Sequence, residues 1–362
     1  MSRIRVMIVE DSRVVLSFLE HVIGADPRLE VAASAASAEE ALRLLPKVAP
    51  DVISMDVRLP GMDGLAATRQ IMREHPTPIV IVAASVATDA PTISTNALRS
   101  GALAVLEKPA GNKCRDYEAM AERLCTQLAL MSQVKVVRQR IRRAELCAQP
   151  GSELPGKAAL GGRGDLVRAS HFRLVGMVAS TGGPAALEKL LGRLNPRFPL
   201  PIGLVQHMSA GFLPGFVSWL EGACALRVAI AEDGQRPLPG TVYVAPSDRH
   251  LCLQGDRWRL ESGEPVCSQL PSGTVLLRSL ARSLRSDALG VLLTGMGDDG
   301  AAGLKELFDA GGHTIAEDES TAAVYGMPAA AVRLGGVSES LPLDRIGARL
   351  EALTANSTEV LR

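Results

Sequence analysis

The stretch LVGMVASTGGPAALEKLL, residues 174–191, decides the fold of the second half of this chain. Its first six residues are small or apolar, as in a buried strand, and they run directly into the turn STGGP at 180–184. An apolar spacing typical of a helix begins at Ala185, so the stretch predicts a strand, a sharp turn and a helix. A serine in such a turn lies at a sheet edge beside free helix amides, where it suits a nucleophile or a phosphate-binding loop.

Further apolar runs of strand length occur on both sides of this stretch. They lie at 202–205, 242–245 and 288–293 in the second half, and at 4–9, 29–33, 52–55, 79–83 and 103–106 in the first. Helical patterns separate them, and one pattern begins with a capping box, because Glu40 follows Ser37 by three residues. Strands that alternate with helices predict parallel sheets with helices on both faces. We therefore predict an α/β protein with a flavodoxin-like, five-stranded parallel domain followed by a doubly wound, mostly parallel domain.

The segment between these two parts has a different composition. A helical pattern covers 117–147 and ends in an arginine cluster, which we interpret as a solvated helix face rather than a site for an acidic partner. Residues 150–164 are rich in glycine and proline, as in a linker. The predicted domains are therefore 1–125 and 171–362, joined by a helical and Gly/Pro-rich linker over 126–170.

The composition excludes several classes of function. Among 362 residues, Lys and Arg together equal Asp and Glu at 39 each, so we expect no large basic surface for nucleic acid or for a membrane. No apolar run reaches the roughly 18 residues that a membrane span requires, so we predict no membrane insertion. The six cysteines include no C-x-x-C pair, and we expect reduced thiols in a cytoplasmic protein.

Acidic residues and one lysine follow the predicted strands of the first domain. Glu10 and Asp11 follow the first strand, Asp56 follows the third, and Lys108 follows the fifth. The carboxyl ends of parallel strands share one edge of a sheet, so we expect the three carboxylates to converge beside the ammonium. Clustered carboxylates need a cation, and oxygen ligands of this kind suit Mg²⁺. Asp56 is then a candidate nucleophile for a phosphoryl group whose charge the metal and Lys108 neutralise.

Together with the motif PGMDG at 60–64, these residues resemble the response-regulator receiver family over nearly all of 3–108. The resemblance implies that Asp56 is the phosphoacceptor. It also implies that Glu10, Asp11 and Asp56 hold Mg²⁺, and that Lys108 contacts the phosphoryl group.

Two positions depart from the receiver pattern. Ala83 stands where receivers usually carry a serine or threonine, and Val105 stands where they usually carry an aromatic residue. The hydroxyl that would hydrogen-bond to the phosphoryl group is therefore missing, and so is the aromatic ring that would respond to phosphorylation. The resemblance implies phosphorylation, but the usual switch lacks two of its parts.

The second domain carries the residue types of a hydrolytic triad at three predicted strand ends. Ser180 follows the first of these strands, His207 follows the next, and two aspartates at 298 and 299 lie in the loop after 288–293. A serine nucleophile needs a base to take its proton and a carboxylate to orient that base. His250, which lies in a predicted loop beyond a proline, is a rival for the base.

The loop at 295–300 also permits a different interpretation. It reads GMGDDG, which matches G-x-G-x-x-G between a strand and a helix, and acids at 317–319 lie near the distance of a ribose-binding acid. A dinucleotide-binding or partner-docking module is therefore the alternative to an esterase. We favour the esterase because two aspartates inside the loop would repel a pyrophosphate.

Over about 172–350 the second domain resembles the catalytic domain of the chemotaxis protein-glutamate methylesterases. The motifs that carry this resemblance are ASTGGP (179–184), QHM (206–208), AEDG (231–234), YVAP (243–246), TGMGDDG (294–300) and YGMP (325–328). The resemblance implies Ser180 as the nucleophile, His207 as the base and Asp299 as the orienting acid. It also implies that the Met296 amide donates to an oxyanion and that Thr181 is a supporting hydroxyl near the base.

One stretch departs from the pattern of these methylesterases. Residues 269–274 read QLPSGT, and only Pro271 and Ser272 match the sequence common at this loop. We expect the difference to affect substrate contacts and partner choice, and not the triad.

The two resemblances together imply one activity and its regulation. The protein would be a carboxylic ester hydrolase that removes methyl groups from glutamyl esters of chemoreceptors, with a glutamine deamidase side activity. A chemotaxis-type histidine kinase would be the phosphodonor for the first domain, and the esterase would need no cofactor. In this family the unphosphorylated receiver covers the catalytic edge, and phosphorylation uncovers it.

Overall fold

Residues 3–83, 96–97, 100–108, 114–132, 134, 172–208 and 210–355 are described by the structure, a computed structural model of the chain. The strands of the N-terminal domain are β1 (Ile4–Val9), β2 (Leu29–Ala35), β3 (Val52–Met55), β4 (Ile79–Ala83) and β5 (Ala104–Glu107). They form one sheet in the order β2-β1-β3-β4-β5, and every pairing is parallel. This order confirms the predicted flavodoxin-like, five-stranded parallel sheet.

Helices cover both faces of this sheet. They are α1 (Arg13–Ala25), α2 (Ala38–Val48), α3 (Gly64–Glu74) and α4 (Cys114–Met131). Successive strand residues point to opposite faces, so Met7 packs with α2 and α3 whereas Ile8 packs with α1 and α4. Each face of the sheet therefore has its own apolar core.

Two of these helices were predicted in detail. Ser37 caps α2, because its side chain accepts the N–H of Glu40 at 3.2 Å, as the capping box predicts. The helix predicted over 117–147 begins at Cys114, and residues 135–147 lie outside the described residues. Most of the predicted linker lies outside them as well, so its boundaries stay a prediction.

The C-terminal domain contains a larger parallel sheet and a hairpin. Its strands are β6 (Leu174–Ala179), β7 (Ile202–Gln206), β8 (Arg227–Ile230), β9 (Thr241–Val244), β10 (His250–Gln254), β11 (Arg257–Glu261), β12 (Ala288–Leu292), β13 (His313–Glu317) and β14 (Glu339–Leu341). The sheet order is β14-β13-β12-β6-β7-β9-β8 with parallel pairing throughout, and β10 pairs with β11 in an antiparallel hairpin. The four strands predicted in this half are present, each within one residue at either end.

Helices also cover both faces of the larger sheet. They are α5 (Gly183–Leu191), α6 (Leu213–Ala223), α7 (Gly273–Ser283), α8 (Ala301–Asp309), α9 (Met327–Arg333) and α10 (Leu343–Thr354). Met177 of β6 packs with α5, α6 and α10, whereas Val178 packs with α7, α8 and α9. This confirms the doubly wound arrangement. No helix among the described residues is both long and apolar enough to cross a membrane.

The carboxyl ends of β12, β6 and β7 meet at the middle of the sheet. The chain continues from β6 to β7 on one side and later adds β12 on the other side. A crevice forms outside the strands where the direction of winding reverses, and open α/β folds bind ligands there. The predicted triad residues follow these three strands, so the fold brings them to one rim.

Candidate active site

Ser180, His207 and Asp299 follow three neighbouring strands. Ser180 comes directly after β6, His207 directly after β7, and Asp299 in the loop after β12. The N–H of Ser180 donates to the carbonyl of Thr294 at 3.0 Å, and the N–H of His207 donates to the carbonyl of Ala179 at 3.2 Å. These bonds continue the sheet pairing beyond the strands and hold the three segments at one edge.

The imidazole of His207 is held by the carboxylate of Asp299. Nε2 of His207 lies 2.8 Å from Oδ2 of Asp299, and both side chains are buried. A carboxylate accepts hydrogen bonds, so in the neutral imidazole Nε2 carries the proton and Nδ1 carries the lone pair. Nδ1 is buried and has no hydrogen-bond partner within the described part of the chain. The ring therefore keeps one nitrogen free to accept a proton.

Ser180 and His207 line the same cavity, which has a volume of ≈ 370 Å³. Between the described residues no hydrogen bond joins the Ser180 hydroxyl to His207. Hydrogen bonds of this kind are often long in unliganded enzymes and tighten when substrate binds. The fold thus places the candidate nucleophile and the candidate base at one cavity, together with Gln206, Met208, Gln269 and Met296.

Four hydrogen bonds converge on the carboxylate of Asp299. Oδ1 accepts the hydroxyl of Ser272 at 2.6 Å and the N–H of Thr274 at 3.0 Å. Oδ2 accepts the N–H of Gly273 at 2.6 Å in addition to the His207 ring. Ser272 caps α7, so the free amides and dipole of a helix N-terminus face the anion. Burial raises the pKa of Asp299, but the hydrogen bonds from His207, Ser272 and Thr274 outweigh it and leave the pKa below its ordinary value.

The surroundings of Asp299 bear on one expectation from the sequence. The unusual stretch 269–274 was expected to affect substrate contacts and partner choice, and not the triad. Residues 272–274 do contact Asp299, but through Ser272, which matches the family pattern, and through the backbone N–H groups of Gly273 and Thr274, which any residue would supply. The expectation stays a prediction, and Gln269 does line the cavity.

The turn after β6 requires glycine at two positions. Gly182 has a φ of 77°, in the left-handed region, and a Cβ at Gly183 would meet Oε1 of Gln206 at 2.1 Å. The close approach at Gly183 lets Nε2 of Gln206 donate to the carbonyls of Ser180 at 2.9 Å and of His207 at 3.1 Å. Gln206 therefore ties the backbone of the nucleophile to that of the base. The sequence analysis missed this role of Gln206. The one feature of the sequence that could have indicated it is the position of Gln206 directly before His207.

Thr294 connects the turn at Ser180 to the loop that contains Met296. Its hydroxyl donates to the carbonyl of Thr181 at 2.8 Å and accepts the N–H of Val324 at 2.9 Å. Met296 lines the cavity, and its backbone N–H has no acceptor among the described residues. This amide is therefore free to donate to a bound group. Thr181 also lines the cavity, but it is held through its carbonyl and not through its hydroxyl.

The rival base, His250, has both ring nitrogens occupied. It begins β10 instead of lying in a loop, and it is buried. Its Nδ1 accepts the N–H of Ser272 at 3.1 Å, and its Nε2 lies 3.1 Å from the carbonyl oxygen of Glu264. The ring does not contribute to the wall of the cavity that contains Ser180. His250 is therefore not placed to accept a proton from the nucleophile.

Of the three acids at 317–319 considered for a dinucleotide site, the first is not available to a ligand. Glu317 is fully buried, and its Oε2 accepts the N–H of Thr294 at 2.8 Å. Burial raises the pKa of Glu317 above its ordinary value, although the Thr294 N–H lowers it in part. A surface ribose cannot reach this carboxyl. The two aspartates of the loop also differ, because Asp298 is exposed whereas Asp299 is buried.

The carboxylates of the N-terminal domain converge as predicted. Ligand oxygens of Glu10, Asp11 and Asp56 lie within 4.8 Å of one another. Nζ of Lys108 lies 2.7 Å from Oε2 of Glu10 and 2.7 Å from Oδ2 of Asp56. Burial raises the pKa of Glu10, the Lys108 ammonium lowers it in part, and the charge of Asp56 raises it further. Three oxygen donors that repel one another in this way fit a divalent cation.

The two residues that depart from the receiver pattern lie in different places. Ala83 ends β4, where it is buried and its carbonyl accepts the N–H of Lys108 at 2.7 Å. Its methyl group offers no hydroxyl to a phosphoryl group on Asp56. Val105 lies on β5 and lines the same cavity as Ser180. The N-terminal domain thus forms one wall of that cavity, with Leu103, Ala104, Leu106, Thr126 and Gln127 beside Val105.

Both domains match known families. The family described as CheB methylesterase matches residues 175–350, and the response regulator receiver domain matches residues 6–114. A relative from Paramagnetospirillum magneticum, named protein-glutamate methylesterase/protein-glutamine glutaminase 2, is 52% identical over 97% of this chain and 97% of its own length. A relative from Syntrophus aciditrophicus, named protein-glutamate methylesterase/protein-glutamine glutaminase 1, is 42% identical over 98% of this chain and 99% of its own. The crystal structure of the Thermotoga maritima CheB methylesterase catalytic domain is 35% identical, with a TM-score of 0.49, over 50% of this chain and 98% of that one.

Proposed function

Because this chain belongs to the protein-glutamate methylesterase/protein-glutamine glutaminase family, we propose that it hydrolyses glutamyl methyl esters on a chemoreceptor. One observation carries the catalytic part of the proposal. The His207 ring is held through Nε2 by a buried carboxylate, its Nδ1 has no hydrogen-bond partner among the described residues, and His207 lines the same cavity as Ser180. This is the arrangement that activates a serine for acyl transfer.

The first half of the reaction forms an acyl-enzyme. Nδ1 of His207 takes the proton of the Ser180 hydroxyl while Oγ attacks the ester carbonyl. Asp299 stabilises the imidazolium that results, because its carboxylate lies 2.8 Å from Nε2. The carbonyl oxygen becomes an oxyanion, to which the Met296 N–H and a second amide of the rim donate. Each such donor lowers the activation free energy by about 3 kcal/mol.

The second half of the reaction releases glutamate. The imidazolium returns its proton to the departing methoxide, so methanol leaves and the acyl group stays on Ser180. Water then attacks this ester with His207 as base, and collapse of the second tetrahedral intermediate restores the serine. The same steps hydrolyse a glutamine side chain, with ammonia as the leaving group in place of methanol. This common chemistry supports a deamidase activity alongside the esterase.

Regulation is the second part of the proposal. A histidine kinase transfers a phosphoryl group to Asp56, and Glu10, Asp11 and Asp56 would hold the Mg²⁺ for this transfer. When bound, Mg²⁺ would supply positive charge against the phosphoryl oxygens. Lys108, which now bridges Glu10 and Asp56, adds a second cation at the same place. We infer that phosphorylation moves the wall that the N-terminal domain contributes to the cavity and so opens the esterase site.

The thiols support a cytoplasmic setting for this reaction. Cys125, Cys224, Cys252 and Cys267 are free in the described residues. Burial raises the pKa of Cys252 to about 12 and that of Cys125 to about 11, with nearby acids adding to the effect. Buried thiols with a raised pKa are unreactive at neutral pH, as expected of reduced structural cysteines in the cytoplasm.

The decisive experiment measures methanol release from membranes that contain methylated chemoreceptors. The wild-type protein should release methanol, and Ser180→Ala should release none above the background of membranes alone. Ser286→Ala is the matched control, because this serine lies outside the cavity wall. Release by the Ser180→Ala variant at the wild-type rate would refute the assigned nucleophile.

A further inference from the structure

His250 connects two ends of one loop. As the first residue of β10, it is buried, and it accepts the N–H of Ser272 at Nδ1 while Nε2 faces the carbonyl of Glu264. An amide N–H donates and a carbonyl accepts, so both ring nitrogens are fully used. The imidazole therefore fixes the beginning and the end of residues 264–272.

This loop forms part of the active-site wall. Ser268 and Gln269 line the cavity together with Ser180 and His207. Within the loop, Val266 and Gln269 exchange two backbone hydrogen bonds of 3.0 Å, so the tip is a closed turn. A closed turn moves as a unit, and its position over the cavity depends on where its ends are attached. His250 provides an attachment at each end.

The C-terminal end of the loop also binds the catalytic acid. Ser272, whose N–H donates to His250, directs its hydroxyl to Oδ1 of Asp299 at 2.6 Å. The other oxygen of Asp299 holds the ring of His207. A continuous set of hydrogen bonds therefore runs from His250 through Ser272 and Asp299 to the base.

We propose that His250 is a positioning residue with two separable effects, on the substrate wall through Glu264 and on the base through Ser272. The inference rests on the proposed esterase function. The two hydrogen bonds of His250 predict different kinetic losses. The bond to Glu264 holds the loop that lines the cavity, whereas the bond to Ser272 holds a residue that contacts Asp299. A residue that only stabilised the fold would not separate them.

Two substitutions of His250 each keep one of its two hydrogen bonds and remove the other. In His250→Asn the side-chain oxygen replaces Nδ1 as acceptor for Ser272, but the bond to Glu264 is lost. In His250→Gln the longer amide reaches the Glu264 carbonyl, but Ser272 loses its acceptor. Loss of one buried hydrogen bond changes a rate or an affinity by about 10- to 100-fold. We therefore expect His250→Asn to raise KM and His250→Gln to lower kcat, each by about that factor.

The reactivity of Ser180 provides a readout that does not depend on the substrate. The rate of covalent labelling by a fluorophosphonate reports how well the base activates the serine. His250→Asn should label within about threefold of wild type, whereas His250→Gln should label about 10- to 100-fold more slowly. His313→Asn is the matched control, because His313, the first residue of β13, pairs with Glu339 of β14 and does not line the cavity. It should label like wild type.

The melting temperature of each variant is also measured. Labelling rates are then compared at a temperature below the lowest of these melting temperatures, where every variant is folded. Equal labelling rates of His250→Asn and His250→Gln, whether fast or slow, would overturn the proposal. Wild-type protein that is labelled but releases no methanol from methylated receptors would refute the proposed substrate, and the labelling comparison would still decide the role of His250. Wild-type protein that resists the label would refute the assigned nucleophile and this inference together.

Discussion

Replacement of Asp299 by asparagine should disable the base without removing any atom from it. At present each carboxylate oxygen accepts two hydrogen bonds. Asparagine keeps one accepting oxygen, which can serve Ser272 and Thr274, and its NH₂ group then faces the Gly273 N–H and the His207 ring. The ring must turn a lone pair toward that NH₂ group, so its proton moves from Nε2 to Nδ1. Nδ1 is then no longer free to accept the proton of the nucleophile.

The size of the effect follows from the buried charge pair. The side chains of His207 and Asp299 are 8% and 2% exposed, so solvent screens them little. Opposite unit charges about 4 Å apart attract by about 4 kcal/mol at an effective dielectric constant of about 20. Removing that attraction from the transition state costs roughly 10³-fold in kcat. The change of tautomer adds to this loss, and the same substitution in a serine protease triad costs about 10⁴-fold.

Methanol release from methylated receptor membranes measures the loss, and the expected decrease in kcat is about 10³- to 10⁴-fold. Asp298→Asn is the control, because it makes the same chemical change at the exposed neighbour. It should retain kcat within about twofold, as surface substitutions usually do. Folding is checked by the melting temperature, which should fall for Asp299→Asn because a buried amide N–H loses its acceptor. A folded Asp299→Asn protein with kcat within tenfold of wild type would show that the carboxylate does not orient the base.

Two further predictions concern stability and regulation. Folding raises the pKa of Glu317, so the folded protein binds a proton that the unfolded chain loses above the ordinary pKa of 4.5. The free energy of unfolding should therefore fall as pH rises from that value through the folded pKa. Burial also raises the pKa of Glu10 and gives a slope of the same sign, so Glu317→Gln should reduce the slope in melting curves without abolishing it. Glu319→Gln, at an exposed position, should leave the slope unchanged. Asp56→Asn should abolish any stimulation of methanol release by acetyl phosphate while it leaves unstimulated release unchanged. Stimulation that survives in Asp56→Asn would exclude Asp56 as the phosphoacceptor.

The sequence predicts the sheets well because their strands are buried on both faces. A strand such as β6 is apolar at every position, and it is bounded by a turn that contains glycine and proline. The short edge strands β8 and β14 lack that signal, since Arg227 and Glu339 begin them at exposed or half-buried positions. The hairpin strand β11 alternates charged and apolar residues and was also missed. The largely buried strands β10 and β13 were missed too, because polar residues interrupt their apolar runs. A sequence therefore reveals the strands that are both buried and continuously apolar.

The positions of the proposed triad residues are predictable for a related reason, whereas the hydrogen bonds that hold Asp299 are not. Parallel strands bring their carboxyl ends together, so Ser180 and His207 can be assigned to one rim from strand order alone. The bonds from residues 272–274 to Asp299 join segments that are 25 to 27 residues apart. No local pattern indicates that α7 begins opposite the loop after β12. His250 was interpreted as a rival base for the same reason, because its partners Glu264 and Ser272 lie on a loop whose path only the fold defines.

The loss of the usual switch residues bears differently on the two steps of the proposed regulation. Phosphoryl transfer depends on Asp56, its neighbouring acids and Lys108, all of which are in place. Transmission depends on what the phosphoryl group moves, and Ala83 offers it no hydrogen bond. Lys108 remains as the contact, and it follows β5, the strand on which Val105 lines the cavity of Ser180. A phosphoryl group that draws Lys108 away from Glu10 would therefore act on the strand that forms the cavity wall, without the hydroxyl or the aromatic ring that other receivers use.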